Sequence, residues 1–539
     1  MQSSRSAHVD TFTRRHLPPA DTWPEFRFSL PELRYPARLN CATALLDRTV
    51  ERFGPYRRAL VTEAGTWSYG DLLTRSNQLA GVLVEELGVV PGNRVLLRAP
   101  NNPWLVTAWF AALKAGAVVV TTVPQLRESE LRAVGEIARI DHALCDHRYT
   151  TELAAADIAP ISVLGGGGPD DLTGRACRYD GEFTAVDTAA DDVALLAFTS
   201  GTTGRPKATM HFHRDVLANA DTFSRYVLRP TPDDLFTGTP PLGFTFGLGG
   251  LVVFPLYAGA ASLLLESATP AALAAALAEW EVSVLFTAPT AYRAMLDALP
   301  TDGLPALRRC VSAGEPLPRA TWQRFRDATG LRIIDGIGST EMLHIFVSAA
   351  DGDIRPGSTG RAVPGYTATV LDSDGRPAPD GTLGRLAVRG PTGCRYLSDP
   401  RQGDYVQHGW NITGDTYVRD EQGYLWYQAR SDDMIISAGY NISGPEVEQA
   451  LLEHPDVLEA AVVGVPDPGR TMTVHGYVVL RPGVPDDLAK HDELRSYCKA
   501  RIAPYKCPHH IEFLAELPRT STGKLQRHAL RDRTTGPAA

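Results

Sequence analysis

A chain of 539 residues with 44% hydrophobic and 21% charged residues is too long for one core and has the make-up of an ordinary globular enzyme of roughly two to four structural units. Its formal charge of −9, with no long Lys/Arg cluster, leaves no electrostatic footprint for nucleic acid. The seven cysteines, at positions 41, 145, 177, 310, 394, 498 and 507, are scattered and include no Cys-x-x-Cys pair, which excludes an evident disulfide framework or zinc site and favours a reducing cytoplasm.

The first 23 residues carry Arg5, Asp10, Arg14, Arg15 and Asp21 without an apolar core, so they do not form a signal peptide. Helical and strand patterns then alternate: a helix over 104–114, a strand over 117–121, a buried strand over 193–198, a helix over about 213–228, a helix over 271–280 and a strand over 282–287. Such alternation predicts a largely parallel sheet covered by helices. Residues 242–265 are uncharged but contain five glycines and Pro255; this density of backbone breakers predicts a buried helix and core strand, and no membrane span. From about residue 366 short extended segments with turns such as Asp374-Gly375 predict a small barrel-like unit. Beyond residue 431 a helix near 444, strands at 458–465 and 476–480, a helix over 486–500 and a strand at 511–514 predict a separate small α+β domain. The expected organisation is α/β, with a large domain over 1–430, a barrel-like subdomain over 366–430 and a C-terminal domain over 431–539.

The stretch Thr199-Ser-Gly-Thr-Thr-Gly-Arg-Pro-Lys207 lies between the predicted strand and helix. Glycine lets a backbone approach an anion, exposed N–H and hydroxyl groups donate to phosphate oxygens, and lysine adds a mobile positive charge. The spacing is not that of a Walker A loop; a flexible surface turn is the alternative. With its surroundings this run resembles the signature loop of the adenylate-forming superfamily: acyl-CoA and aryl-CoA ligases, adenylation domains of peptide synthetases, and luciferases. The resemblance implies that Thr199, Ser200, Gly201, Thr202, Thr203, Gly204 and Lys207 bind ATP phosphates.

The remaining signatures follow in family order up to residue 527. Val311-Ser-Ala-Gly-Glu-Pro-Leu317 resembles the adenine-pocket loop, which implies nucleotide contacts for Gly314, Glu315 and Pro316. Asp335-Gly-Ile-Gly-Ser-Thr-Glu341 resembles a second signature, with Ile337 where tyrosine is common. Asp335, Gly336, Ile337, Gly338 and Ser339 are thereby implied at the nucleotide, Thr340 at phosphate and Glu341 at a magnesium ion, a hard cation suited to a carboxylate. Thr413-Gly-Asp415 resembles the ribose-binding motif, and Ala429-Arg-Ser-Asp-Asp433 the hinge, which implies ribose contacts for Asp415 and Arg430 and a pivot at Asp432. Ile435-Ile-Ser-Ala-Gly-Tyr-Asn-Ile442 resembles the segment that lines the pantetheine tunnel once the small domain has rotated, which points to Ser437, Gly439 and Tyr440. Pro518-Arg-Thr-Ser-Thr-Gly-Lys-Leu-Gln-Arg527 resembles the motif presenting the catalytic lysine, here Lys524. A cation bridging a carboxylate nucleophile and the α-phosphate lowers the barrier between two anions.

Phe-x-Phe-Gly-Leu-Gly from Phe244 and Gly-Ser-Thr-Glu-Met-Leu-His-Ile-Phe from Gly338 resemble benzoate-CoA and 2-aminobenzoate-CoA ligases. Phe244, Thr245, Phe246, Gly247, Ala313, His344 and Ile345 are implied at an aryl pocket, where aromatic walls stack a planar ring and a histidine meets the carboxylate or an ortho substituent. A core role for His344, and plain packing for Thr245 and Phe246, are the alternatives. The expected reaction joins a small aromatic acid, 2-aminobenzoate or a hydroxybenzoate being favoured, to coenzyme A through an aryl-AMP, with ATP, Mg2+ and CoA required. A separate carrier protein or another nucleophile as acceptor, and a non-catalytic nucleotide-binding protein, are the competing readings. A monomer or homodimer acting away from membranes and nucleic acid is expected.

Overall fold

Helix Pro103–Lys114 shows how local sequence builds the large part of the molecule. Asn102 caps it by accepting the Leu105 N–H at 3.0 Å, and Pro103 occupies the first turn, where no amide hydrogen is needed. Every residue from Leu105 to Lys114 is buried, so the helix is apolar on all sides and is covered on all sides. Its one charge, Lys114, is held by Asp47 at 2.6 Å and Asn77 at 2.8 Å.

The computed structural model describes residues 5–199, 206–300, 303–430, 433–437, 440–467, 471–502, 504–520 and 525–535. Within them the first sheet has six strands in the order Ile161–Leu164, His142–Asp146, Arg94–Arg98, Val118–Thr122, Val193–Thr199 and Lys207–Phe212, parallel except for the last pair. A second sheet of nine strands has a parallel centre that includes Val284–Thr287, Arg309–Ser312 and Ile333–Gly338, with antiparallel strands at both edges. Strands Thr367–Leu371, Leu383–Arg389, Val406–Gln407, Trp410–Arg419 and Leu425–Arg430 form a third, antiparallel sheet. Residues 242–265 form short buried helices ending in strand Ala261–Leu263. No helix among the described residues is long and apolar enough to cross a membrane.

Beyond residue 433, hairpin Ile435–Ser437/Tyr440–Ile442 joins the long pair Val457–Asp467 and Thr471–Leu480, with His510–Phe513 parallel to the latter. Helices Gly444–Leu452 and Leu488–Lys499 cover this sheet and contribute to its own apolar core, which includes Val447, Leu451, Val462, Val474, Val478 and Leu494. The C-terminal helix Arg527–Thr535 and the hairpin at 435–442 are elements that the sequence pattern does not announce.

The N-terminal arm wraps behind the strand pair 193–212. Ser6 and the Ala7 N–H bind Asp192, Trp23 packs on Phe212, and Gln402 donates to Thr22 O at 3.0 Å. Arg395 lies fully buried among Phe26, Phe212 and Trp23, paired with the equally buried Asp215. Removing one partner leaves a buried charge without its counterion, so Asp215→Ala is expected to cost about 3–5 kcal/mol, read as a lower midpoint in chemical denaturation.

Candidate active site

The ends of two strand pairs, one from each parallel sheet, come together through side chains. In the first, Thr199 lies opposite Lys207, the opening residue of return strand Lys207–Phe212, and the helix begins only at His213. The expected order of strand, loop and helix therefore gains a strand, whose residues Ala208 to Phe212 are all buried and so lack the alternation that marks a half-buried strand. In the second, Ile333–Gly338 carries Asp335, Gly336, Ile337 and Gly338, and Ser339 caps a turn at Thr340–Met342 that leads to Ile345–Ser348. A Cβ on Gly338 would lie 2.6 Å from the His344 carbonyl oxygen, so only glycine lets this hairpin close.

Side chains lock the tips together. His211 Nε2 donates to the Thr340 carbonyl at 2.8 Å; burial pushes this imidazole down to about 3, so it is neutral and the carbonyl fixes the proton on Nε2. Lys207 Nζ donates to the Tyr396 hydroxyl at 2.7 Å, that hydroxyl donates to Glu341 Oε1 at 2.5 Å, and Lys207 lies 3.8 Å from the same carboxylate oxygen. Burial and the Glu341 charge raise the Tyr396 pKa far above its ordinary value, which keeps the phenol a donor. Tyr405 hydrogen-bonds Ser339 at 3.0 Å. A buried carboxylate beside hydroxyls and a lysine suits a polyanion carrying a hard cation, and Glu341 is the oxygen ligand that fits magnesium.

Around these tips stand the other predicted nucleotide positions. Asp415 faces Arg430 across strands 410–419 and 425–430, with Arg430 Nη1 at 3.3 Å from Asp415 Oδ1 and 3.4 Å from Thr413 O. Ala313, Gly314, Glu315 and Pro316 follow strand Arg309–Ser312, which pairs Ser312 with Asp335; Gly314 takes φ 91°, which its lack of a Cβ permits. Burial pushes the Asp335 carboxyl up to about 8.

His344 ends the second tip after Leu343, whose φ of 69° is costly for a non-glycine residue. Its ring is surrounded by Phe254, Phe223, Phe246 and Phe286 at centroid distances of 4.6, 5.5, 5.6 and 6.3 Å. Neither ring nitrogen makes a full hydrogen bond among the described residues, and burial pushes the pKa down to about 3. A Cβ on Gly249 would lie 2.3 Å from the imidazole and one on Gly247 2.2 Å from Pro241 O, so both glycines seat the helix that presents Phe246 against this ring. Phe244 and Thr245 are half-buried at the start of that helix, and Ile345 is buried.

Ser437 is buried on strand Ile435–Ser437, opposite Tyr440 in the register. Ser200, Gly201, Thr202, Thr203, Gly204, Asp432, Gly439 and Lys524 lie outside the described residues, as does the Tyr440 side chain. Tyr396, Tyr405 and His211 are site residues that no motif singles out; Tyr396 and Tyr405 sit in the polar run 394–408 and His211 in the mixed run 207–215, where nothing in the sequence marks them.

A family model described as "AMP-binding enzyme" matches residues 46–396, and one described as "AMP-binding enzyme C-terminal domain" matches 446–524. The chain belongs to the AMP-binding enzyme family. It is 34% identical to the benzoate–CoA ligase of Thauera aromatica, over 93% of this chain and 97% of that one. A solved anthranilate CoA ligase in complex with anthranoyl-AMP matches with a TM-score of 0.88 at 32% identity, over 94% of this chain and 99% of that one. A benzoate CoA ligase from Burkholderia xenovorans LB400 matches with a TM-score of 0.84 at 33% identity, over 92% and 100%. As an AMP-binding enzyme, this chain is of the adenylate-forming kind.

His211, His213 and His344 are each held near pKa 3 by burial against an ordinary 6.5. The unfolded chain takes up protons below about pH 6.5 that the folded protein refuses, so their stability contribution is whole above pH 6.5 and is lost as pH falls toward 3. Each is expected to cost about 2 kcal/mol between pH 7 and pH 5. Chemical denaturation at the two pH values checks this, and His344→Leu should shrink the loss by one histidine's share.

Proposed function

We propose that this enzyme is an ATP-dependent aryl-CoA ligase that activates a benzoate-like acid as aryl-AMP, releases pyrophosphate and transfers the aryl group to coenzyme A. The observation that carries the aromatic substrate is the ring of four phenylalanines around a neutral histidine, three residues after Glu341. Planar aromatic walls stack a benzoate ring, and a neutral imidazole, with one donor and one acceptor nitrogen, suits a substrate bearing an amino or hydroxyl group. The similarity to an anthranilate CoA ligase favours 2-aminobenzoate, with hydroxybenzoates next.

In this reading the loop from Thr199 to Lys207 grips the β- and γ-phosphates that leave together, while Asp415 and Arg430 hold the ribose and the 313–316 and 335–338 segments line the adenine. Magnesium, when bound, offsets the charge of the phosphate oxygens; Glu341 would hold it, with Thr340 at phosphate. Lys524 bridges the attacking carboxylate and the α-phosphate, which is where the bond breaks. Lys207 positions, and Lys524 stands nearest the chemistry. The small domain then pivots at Asp432, and Ser437, Gly439 and Tyr440 line the path of the thiol.

Purified protein given ATP, magnesium and a panel of benzoates is expected to release pyrophosphate only with an aromatic acid, and to form thioester only when CoA is added; silence across the panel sinks the proposal. Thioester absent but pyrophosphate released would turn the acceptor toward a carrier protein or an amine. Lys524→Ala is expected to slow pyrophosphate release by roughly a hundredfold to a thousandfold, measured under saturating ATP and acid.

A further inference from the structure

An alternating chain of charges joins the two family-matched parts of the molecule. Arg293, on helix Pro289–Met295, donates to Glu459 Oε1 at 2.7 Å; Glu459 Oε2 accepts from Arg519 Nη2 at 2.9 Å; and Arg519 Nη1 reaches Glu315 Oε1 at 3.3 Å. Arg293 and Glu315 lie in the region matched over 46–396, Glu459 and Arg519 in that matched over 446–524. The four side chains are between 15% and 27% exposed, buried enough for geometry to matter and wet enough for each ion to rehydrate on separation.

Arg519 also stands at the root of the loop that bears Lys524. Arg519 and Leu525 form an antiparallel bridge, and the Gln526 N–H donates to Pro518 O at 2.9 Å, which closes the loop between them. At the other end of the ion pair, Glu315 follows Gly314 in the segment after strand Arg309–Ser312. One guanidinium therefore ties the base of the lysine loop to the segment read as the adenine wall.

We propose that Arg519 is a positioning residue for the adenylate-forming half of the reaction: bound by Glu315 and Glu459, it fixes the Arg519–Leu525 bridge, which flanks Lys524 in the chain, against the segment read as the adenine wall. The inference rests on the aryl-CoA ligase reading above. Its physical basis is that a catalytic cation displaced by about 1 Å loses on the order of a hundredfold in rate, and that a guanidinium fork shared by two carboxylates fixes orientation as well as distance. In that reading Lys524 acts in the adenylate-forming half, so the thiol-transfer half does not need this contact.

The test separates the halves. Pyrophosphate release from ATP and benzoate, and thioester formation from preformed benzoyl-AMP and CoA, are measured for the full-length wild type, Arg519→Ala, Arg519→Lys and Glu459→Gln. The first half is expected to fall tenfold to a hundredfold in Arg519→Ala, less in Glu459→Gln, and to recover in part in Arg519→Lys, while the second half stays at the wild-type rate and so reports an intact fold. Arg519→Ala with an unchanged first half, or with equal losses in both halves, overturns the positioning role alone. A wild type that releases no pyrophosphate overturns the ligase reading and the positioning role with it.

Discussion

The site depends on keeping a lysine and a glutamate close in a half-dry cleft without letting them collapse onto each other. Lys207 and Glu341 are 3.8 Å apart, with the Tyr396 hydroxyl accepting from one and donating to the other. A buried ion without partners is costly, and a fully closed pair would have to be broken to admit a polyanion. The tyrosine resolves this: each charge keeps a partner without a closed ion pair, an arrangement that suits the proposed phosphate and cation. Such a spacing survives only if both hairpins are rigid, which explains how much structure lies behind them. His211 reaches across to Thr340 O, and the Arg395–Asp215 pair beside Tyr396 is caged by aromatic rings of the N-terminal arm.

Both halves of the cleft reach this arrangement by the same route. Strand Val193–Thr199 runs parallel to its neighbour and then returns antiparallel through Lys207–Phe212; strand Ile333–Gly338 runs parallel to Arg309–Ser312 and returns through Ile345–Ser348. In open α/β sheets ligands bind beyond the carboxyl ends of the strands, and here two such strand ends, at Thr199 and Gly338, are tied together by His211 and Tyr396. Glycine lets this hairpin close: a Cβ on Gly338 would lie against the His344 carbonyl, and one on Gly336 would press on the Ile345 side chain. The spacing of glycines around Glu341 thus reflects close packing as much as ligand binding.

The helices and strands of the large domain were legible because apolar spacing survives there: the pattern over 104–114 became Pro103–Lys114, and 271–280 became Pro270–Glu279. The tight turn at Asp335–Glu341 was legible because glycine and hydroxyl residues cluster there. Strand Lys207–Phe212 was not, since burial on both faces erases period two. Tyr396 was not, since its partners lie 189 and 55 residues away. The aromatic box was half legible: Phe246 and His344 sit in recognisable runs, whereas Phe223, Phe254 and Phe286 become neighbours of the histidine only through the fold.

The seam between the large and small parts differs in kind from their interiors. Residues 435–513 keep an apolar core of their own, while the contacts of Glu459 and Arg519 with Arg293 and Glu315 are ionic. Partly exposed pairs of this type contribute about 0–1 kcal/mol each, a scale on which the binding of a substrate can tip the balance. An apolar seam of the same area would bury surface at about 25 cal/mol per Å2 and, on the pivoting proposed above, have to expose it again in each cycle. Charge at the seam therefore combines two requirements that packing alone opposes: a defined register while the parts are docked, and a low cost of parting. The same logic separates the two lysines: Lys207 opens a strand of the first sheet, whereas Arg519 and Leu525, which flank Lys524, belong to the part that meets Arg293 and Glu315 through ions.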